Sequence, residues 1–332
     1  MVRTRRLIAV LAAAFTFMGC APADQPSDAA EQPVDLHAVH YPGLSNPLEK
    51  VPALLSIEDY LALLSDSANT VLIDVRKPAE YAAGHLAGAL QLWRTDLEIT
   101  AYPYAGMAIG KDELAALLRD KGVAAGSQMV IYDGVGGCDA ARLWWLLATY
   151  GYRKVSLLDG GWMAWQHDAL PWETVLPTSQ GIGDFRFADA PRTDLAIDYT
   201  GLREAMQGDS IVLLDTRSME EFNGTIVKDG ASYGGHIPGS VHYDWGNAVD
   251  MNNDYRLKPH DELKAQLEAL GVSPKYHIVA YCHSGVRAAH TTFVLKELLG
   301  YPRVSHYDGS WTEWSYLTDE EATEIGKTNN VH

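Results

Sequence analysis

The chain has 332 residues, of which 47% are hydrophobic, with 26 Lys and Arg against 43 Asp and Glu, for a formal net charge of −17. That acidity excludes a nucleic-acid binder or a protein held on an anionic bilayer by a basic patch. A small anionic ligand therefore has to be captured by a local positive field. Three cysteines, one of them near the N-terminus, exclude a disulfide framework.

The first six residues carry Arg3, Arg5 and Arg6, and an apolar run from Leu7 to Met18 leads to Gly19-Cys20. A basic start and a short apolar core predict an export signal over residues 1–20; the run is too short for a stable membrane-spanning helix. Two outcomes are open. A small residue before cysteine resembles a bacterial lipobox, which makes Cys20 the lipid-attachment residue, although Phe17 and Met18 depart from the usual pattern. The other outcome is plain cleavage near Ala21 or Ala23. The expectation is an exported protein of the periplasm or cell envelope, anchored only through Cys20. Residues 21–50 are rich in Ala, Pro, Asp, Gln and Ser, cannot bury a core, and read as a flexible tether.

The body is written twice. Val71-Leu72-Ile73-Asp74-Val75-Arg76 returns as Val212-Leu213-Leu214-Asp215-Thr216-Arg217, and Glu80-Tyr81 returns as Glu221-Phe222. The Gly84-His85-Leu86-Ala87-Gly88-Ala89 stretch returns as Gly235-His236-Ile237-Pro238-Gly239-Ser240, shifted by an insertion over 225–234. Asp159-Gly160-Gly161-Trp162 returns as Asp308-Gly309-Ser310-Trp311. In the first copy, short apolar strands at Val71–Val75, Ala89–Trp93, Met129–Tyr132 and Val155–Leu158 alternate with helices near Ile57–Leu64, Lys111–Lys121 and Ala140–Tyr150. The alternation predicts an α/β fold of two domains, each a parallel sheet covered by helices on both faces. The domains span 51–172 and 195–318. A Pro- and Gly-containing linker over 173–194 joins them, and a tail covers 319–332.

Ile278-Val279-Ala280-Tyr281 reads as a buried strand that hands the chain to Cys282-His283-Ser284-Gly285-Val286-Arg287, and a helix follows to Leu299, before Gly300 and Pro302. Cys282 thus sits on a strand-to-helix loop, at the carboxyl end of a strand, where open α/β sheets place their sites. Unpaired N–H groups at a helix start hold anions and favour a thiolate. A single cysteine is otherwise a small buried hydrophobe; Arg287 and the junction favour the reactive reading.

In the first copy, Asp133 stands opposite Cys282, Gly136 opposite Gly285, and Cys138 opposite Arg287. That copy lacks both nucleophile and cation, and its carboxylate would repel an anionic ligand. Its Gly134-Val135-Gly136-Gly137 run fails as a dinucleotide fingerprint, because Asp139 stands where the third glycine belongs. The Asp74/Arg76 and Asp215/Arg217 pairs read as strand-end salt bridges, His85 and His236 as turn stabilisers, and Trp162, Trp165, Trp311 and Trp314 as core.

The doubled pattern, with the Tyr281-Cys282-His283-Ser284-Gly285-Val286-Arg287 loop, resembles the tandem-domain rhodanese sulfurtransferases from about Leu54 to Leu317. The resemblance implies an inactive first domain and a Cys282 persulfide. Sulfane sulfur would pass from thiosulfate to cyanide or a thiol, with His283, Ser284, Gly285, Val286 and Arg287 holding the substrate. His283 could add charge below about pH 6.5. Arg287 falls one place short of the longer loop of the related cell-cycle phosphatases. The alternatives are a 3-mercaptopyruvate sulfurtransferase and a non-enzymatic sulfur carrier. No metal or organic cofactor is implied, since no ligand cluster of suitable spacing appears.

Overall fold

A computed structural model describes residues 51–66, 69–177 and 181–318; the signal, Cys20, the tether and the tail lie outside the described residues. The first repeat contains strands β1 (Leu54–Leu55), β2 (Thr70–Asp74), β3 (Leu90–Gln91), β4 (Gln128–Tyr132) and β5 (Val155–Leu158). Its helices are α1 (Ile57–Asp66), α2 (Pro78–Ala83), α3 (Lys111–Asp120), α4 (Cys138–Thr149) and α5 (Gly161–His167). In the second repeat the strands are β6 (Ala196–Ile197), β7 (Ile211–Asp215), β8 (Val241–His242), β9 (His277–Tyr281) and β10 (Val304–Tyr307). Helices α6 (Tyr199–Ala205), α7 (Met219–Phe222), α8 (His260–Ala269), α9 (Val286–Phe293) and α10 (Ser310–Leu317) accompany them.

Each repeat folds into a five-stranded sheet, in the order β1-β5-β4-β2-β3 and β6-β10-β9-β7-β8, and every pairing is parallel. The central strands are continuous apolar runs because helices cover both faces: Met129, Val130 and Ile131 are fully buried, as are Ile278, Val279 and Ala280. Separate apolar clusters lie on opposite sides of each sheet.

The repeats meet along α4 and α9. Trp144 on α4 packs edge-on against Phe293 on α9, with ring centroids 5.0 Å apart, and Ala289 and Phe293 belong to the first repeat's core cluster. The predicted helix after Cys282 is α-helical only to Phe293; Val294–Leu298 form a π-turn before Gly300. The linker stretch is partly anchored on the first repeat. Glu173 pairs with His85 as a β-bridge, and Phe185 is buried with its N–H donating to the Val123 carbonyl.

Candidate active site

Cys282 follows β9 and is 1% exposed. Its loop is fixed from beneath by the Asp-Gly-x-Trp motif of the same repeat. The N–H of Cys282 donates to the Ser310 hydroxyl at 3.1 Å, and its carbonyl accepts the Trp311 N–H at 3.0 Å, as that of His283 does from Thr312. Ser310 holds a left-handed backbone (φ 51°), which is uncommon for a residue with a side chain. Gly285, the residue before α9, has φ 80°. A Cβ there would lie 2.7 Å from the Arg142 guanidinium and 2.8 Å from the Asp308 carbonyl, so only glycine fits. The Gly285 carbonyl accepts from Nε2 of buried His306 at 2.7 Å.

The first repeat displays what such a loop holds. The Asp133 carboxylate, turned into its own loop, accepts the N–H groups of Val135, Gly137, Asp139 and Ala140 at 2.7–3.1 Å. In the repeat alignment these donors correspond to Ser284, Val286, Ala288 and Ala289, around Cys282. Gly136 and Gly285 share the same turn, at φ 74° and 80°. The first loop is thus an anion cradle filled by its own aspartate. Burial and the Asp139 charge push Asp133 up to about 6 against those hydrogen bonds.

A cleft of about 390 Å³ between the repeats is bounded by Cys282, Ser284 and Arg287 on one side and by Lys77, Arg94 and Cys138 on the other. Its lining contains five cations, Arg76, Lys77, Arg94, Lys228 and Arg287, and two carboxylates, Glu80 and Asp139. Against the acidity of the whole chain, this is the local positive field that an anion requires. A larger cavity of about 930 Å³ opens beside Gln128 and Lys154, at the amino ends of β4 and β5; its lining carries no thiol.

Arg287 is not a free cation. It grips Glu221 with both terminal nitrogens, at 2.6 and 2.8 Å, and Lys228 lies 3.6 Å from the same carboxylate. Glu221 is 4% exposed. Burial raises its pKa, but hydrogen bonding and charge from Arg287, with Lys228 and Arg217, win and hold it down at about 2. Two cations sharing one carboxylate leave a net positive charge beside the loop. The pairing of Glu221 with Arg287 depends on the fold bringing α7 to α9.

His283 is half-buried, and its Nε2 faces the Asp229 carbonyl at 3.0 Å, inside the insertion that sets the second repeat apart. Burial lowers its pKa below 6.5, so the ring is neutral at pH 7 and adds charge only at lower pH than its ordinary value implies. Ser284 and Val286 line the cleft. Cys138, at the start of α4, also faces the cleft. Burial, then Asp139 and Asp133, push its thiol well up, leaving it protonated at neutral pH.

The remaining sequence candidates are structural. Arg76 lies 2.6 Å from Asp74 and Arg217 2.6 Å from Asp215, each also donating to a carbonyl, of Gly84 or Gly235. Trp162 and Trp311 cover these guanidinium groups at 4.1 and 4.6 Å. His85 stacks on Tyr81 and His236 on Phe222, centroids 3.9 and 3.7 Å apart. Trp165, Trp311 and Trp314 are buried, whereas Trp162 is half-buried over Arg76. Among the described residues, no group of three or more His, Cys, Asp or Glu is placed to hold a metal ion.

A strand-to-helix cysteine on a loop built to hold an anion, in one of two repeated parallel α/β domains, defines a class of protein that sets a thiol in an anion-binding cradle. Comparison with known proteins gives the same answer. The rhodanese-like domain model matches twice, over residues 56–168 and 198–316. The chain is 34% identical over 244 residues to a putative thiosulfate sulfurtransferase of Mycobacterium bovis, covering 71% of this chain and 85% of that one. It is 31% identical over 269 residues to a thiosulfate sulfurtransferase of Azotobacter vinelandii, covering 81% and 96%. Among solved structures it resembles the anaerobic ergothioneine biosynthesis enzyme of Chlorobium limicola in complex with trimethyl histidine. That match has a TM-score of 0.71 at 25% identity and covers 85% of this chain and 72% of the other. The chain belongs to the rhodanese family and is a sulfurtransferase with two rhodanese-like domains.

Proposed function

We propose that this protein moves the sulfane sulfur of thiosulfate to a thiophilic acceptor through a persulfide on Cys282. The Cys282 thiolate attacks the outer sulfur, the sulfur–sulfur bond of thiosulfate breaks, and sulfite leaves with the electron pair. Cyanide or a thiolate then attacks the outer sulfur of the persulfide, and the pair from the broken bond returns to Cys282. The observation that carries this reading is the Asp133 carboxylate held by four N–H groups in the first loop. Equivalent donors around Cys282 would stabilise the persulfide anion without reorganisation.

The donor follows from charge. Thiosulfate is a compact dianion with no carbon frame to grip, and the cations beside the loop suit it better than 3-mercaptopyruvate. A trimethylated amine such as the C. limicola enzyme binds brings a fixed positive charge, unfavourable beside unpaired Lys77 and the two cations that share Glu221. Thiosulfate with cyanide, followed as thiocyanate, tests the activity, and the ratio of kcat/KM for thiosulfate and 3-mercaptopyruvate tests the donor. A higher value for mercaptopyruvate overturns the assignment. We further propose that Cys20 is lipidated and holds the domains at the cell envelope on the tether.

A further inference from the structure

The cleft has more room than the donor needs. Thiosulfate has five heavy atoms, roughly five waters' worth of space or ~150 Å³, against about 390 Å³ between the repeats. The wall opposite Cys282 is formed by the first repeat, which contributes no reacting atom. Its wall carries Lys77, Trp93 and Arg94. Arg76 is held by Asp74, Arg94 by Asp139, and Lys228 and Arg287 by Glu221. Lys77 alone among the cleft's described cations makes no ion pair. Arg94 is partly exposed to the cleft, and its ion pair with Asp139 engages one terminal nitrogen. The adjoining opening beside Ile226 and Met251 offers no such cation: its Lys228 and Arg287 are the two already on Glu221, and Asp244 lines it as well.

We infer that the acceptor is an organic thiol bearing carboxylates, whose anionic end is held on the first repeat by Lys77 and Arg94 while its carbon frame lies on Trp93. This rests on the persulfide reading of Cys282. The acceptor thiolate attacks the outer sulfur of the Cys282 persulfide, the bond from that sulfur to Sγ breaks, and its electron pair stays on Cys282. The acceptor leaves as its own persulfide, and no oxidant or reductant is consumed. The silent repeat thereby becomes the acceptor-recognition domain. Glu80, exposed on the same wall and in no ion pair, works against an anionic acceptor, so it provides a control of opposite sign.

The experiment measures sulfite release at saturating thiosulfate with mercaptosuccinate, 2-mercaptoethanol or cysteamine as acceptor, each normalised to its uncatalysed thiolate reactivity. In the wild type, kcat/KM should fall in that order. Lys77→Glu should lower the ratio of mercaptosuccinate to cysteamine by roughly two- to fivefold, the scale of an exposed ion pair, and Glu80→Gln should raise it. Both residues are exposed, so neither variant threatens the fold. A ratio that is the same in all three proteins, or a wild-type preference for the neutral or cationic thiol, overturns the inference. Failure of the persulfide reading is distinct: it shows as no sulfite release with cyanide as acceptor.

Discussion

The guanidinium of Arg142, in the first repeat, lies 2.5 Å from the carboxylate of Asp308, in the second. Arg142 is 1% exposed, donates to the Gly106 carbonyl at 2.8 Å, and presses against Gly285. Gly106 in turn lies so flat on Ser284 that an added Cβ would come within 2.5 Å of the Ser284 Cβ. The second oxygen of Asp308 accepts the Ala108 N–H at 3.0 Å. The arrangement is reciprocal: Asp159, the matching aspartate of the first repeat, accepts the Leu257 N–H of the second at 2.9 Å. The first repeat thus clamps the loop that carries Cys282.

Removing Arg142 should therefore cost both stability and rate. Arg142→Met leaves Asp308 without its partner, and breaking a buried ion pair from one side costs about 3 kcal/mol, visible as a lower urea midpoint. The kcat/KM for thiosulfate should fall at least tenfold, with Arg142→Lys recovering part of it. A variant that loses stability at unchanged kcat/KM would show that the clamp does not position the loop.

Glu221 competes with the donor for Arg287. Glu221→Gln should lower the KM for thiosulfate severalfold, because the dianion then meets Arg287 and Lys228 without an opposing charge. Arg287→Ala should raise that KM at least tenfold, since it removes the donors and leaves Glu221 facing the substrate. The pair also has an acid limit. With a folded pKa of about 2 against an ordinary 4.5, Glu221 contributes stability that is complete above pH 4.5 and is lost as pH falls through 2. Steady-state kinetics on both variants check the first two statements; equal KM values in wild type and Glu221→Gln would refute the competition.

The two cleft thiols should behave oppositely. Cys282→Ser should abolish sulfur transfer, while Cys138→Ser keeps most of it, because Cys138 takes the loop cation's position and remains protonated. After incubation with thiosulfate, the intact mass should rise by one sulfur atom in wild type and Cys138→Ser, and not in Cys282→Ser. Sulfur mapping to Cys138 would reassign the catalytic domain.

The repeat makes much of this site legible in the sequence. Aligning the copies placed Asp133 opposite Cys282, and the loop around Asp133 shows the corresponding cradle. The edges were less legible. β1 and β6 have two residues each, too short for an alternation signal, and the stretch from Ala89 to Trp93 pairs only through Leu90 and Gln91, against Ile73 and Asp74. An edge strand ends where its neighbour stops offering partners, and apolar composition does not record that. The pairing of Arg142 with Asp308 was hidden for a different reason. The repeat marks Asp308 as the counterpart of Asp159, but Arg142 looks ordinary in its own segment, and only the packing of the two repeats brings them together. Phe185 likewise sits in a Pro- and Gly-marked linker whose composition hides its place in the first repeat's core.

Location is tested at the other end of the chain. If Cys20 is lipidated, wild type should partition into detergent and Cys20→Ser into the aqueous phase, with equal sulfurtransferase activity in solution. Equal partitioning of the two proteins would leave simple secretion.

His306 gives the catalytic loop a measurable pH signature. It is completely buried beneath Gly285 and packs 4.3 Å from Trp145. Burial, then the Arg142 charge, lower its pKa to about 3, while Asp308 and the Gly285 carbonyl oppose the shift. Between pH 3 and 6.5 the unfolded chain binds a proton here that the folded protein refuses, so this residue's contribution to stability falls as pH drops below 6.5. The slope is about 1.4 kcal/mol per pH unit. His290, lowered to about 4 by burial, acts in the same direction. Asp133 and Asp159, both raised to about 6 chiefly by burial, act in the opposite one, since the folded state holds their protons more tightly. The wild-type curve alone therefore conceals the effect. The difference between wild type and His306→Gln isolates it, because Gln can still donate to Gly285 but does not titrate. Urea unfolding at pH 4.5, 5.5 and 6.5 should show wild type losing about 1 kcal/mol relative to the variant over the first unit of acidification and about 1.3 kcal/mol over the second. Parallel curves would mean that His306 is not held neutral in the folded protein.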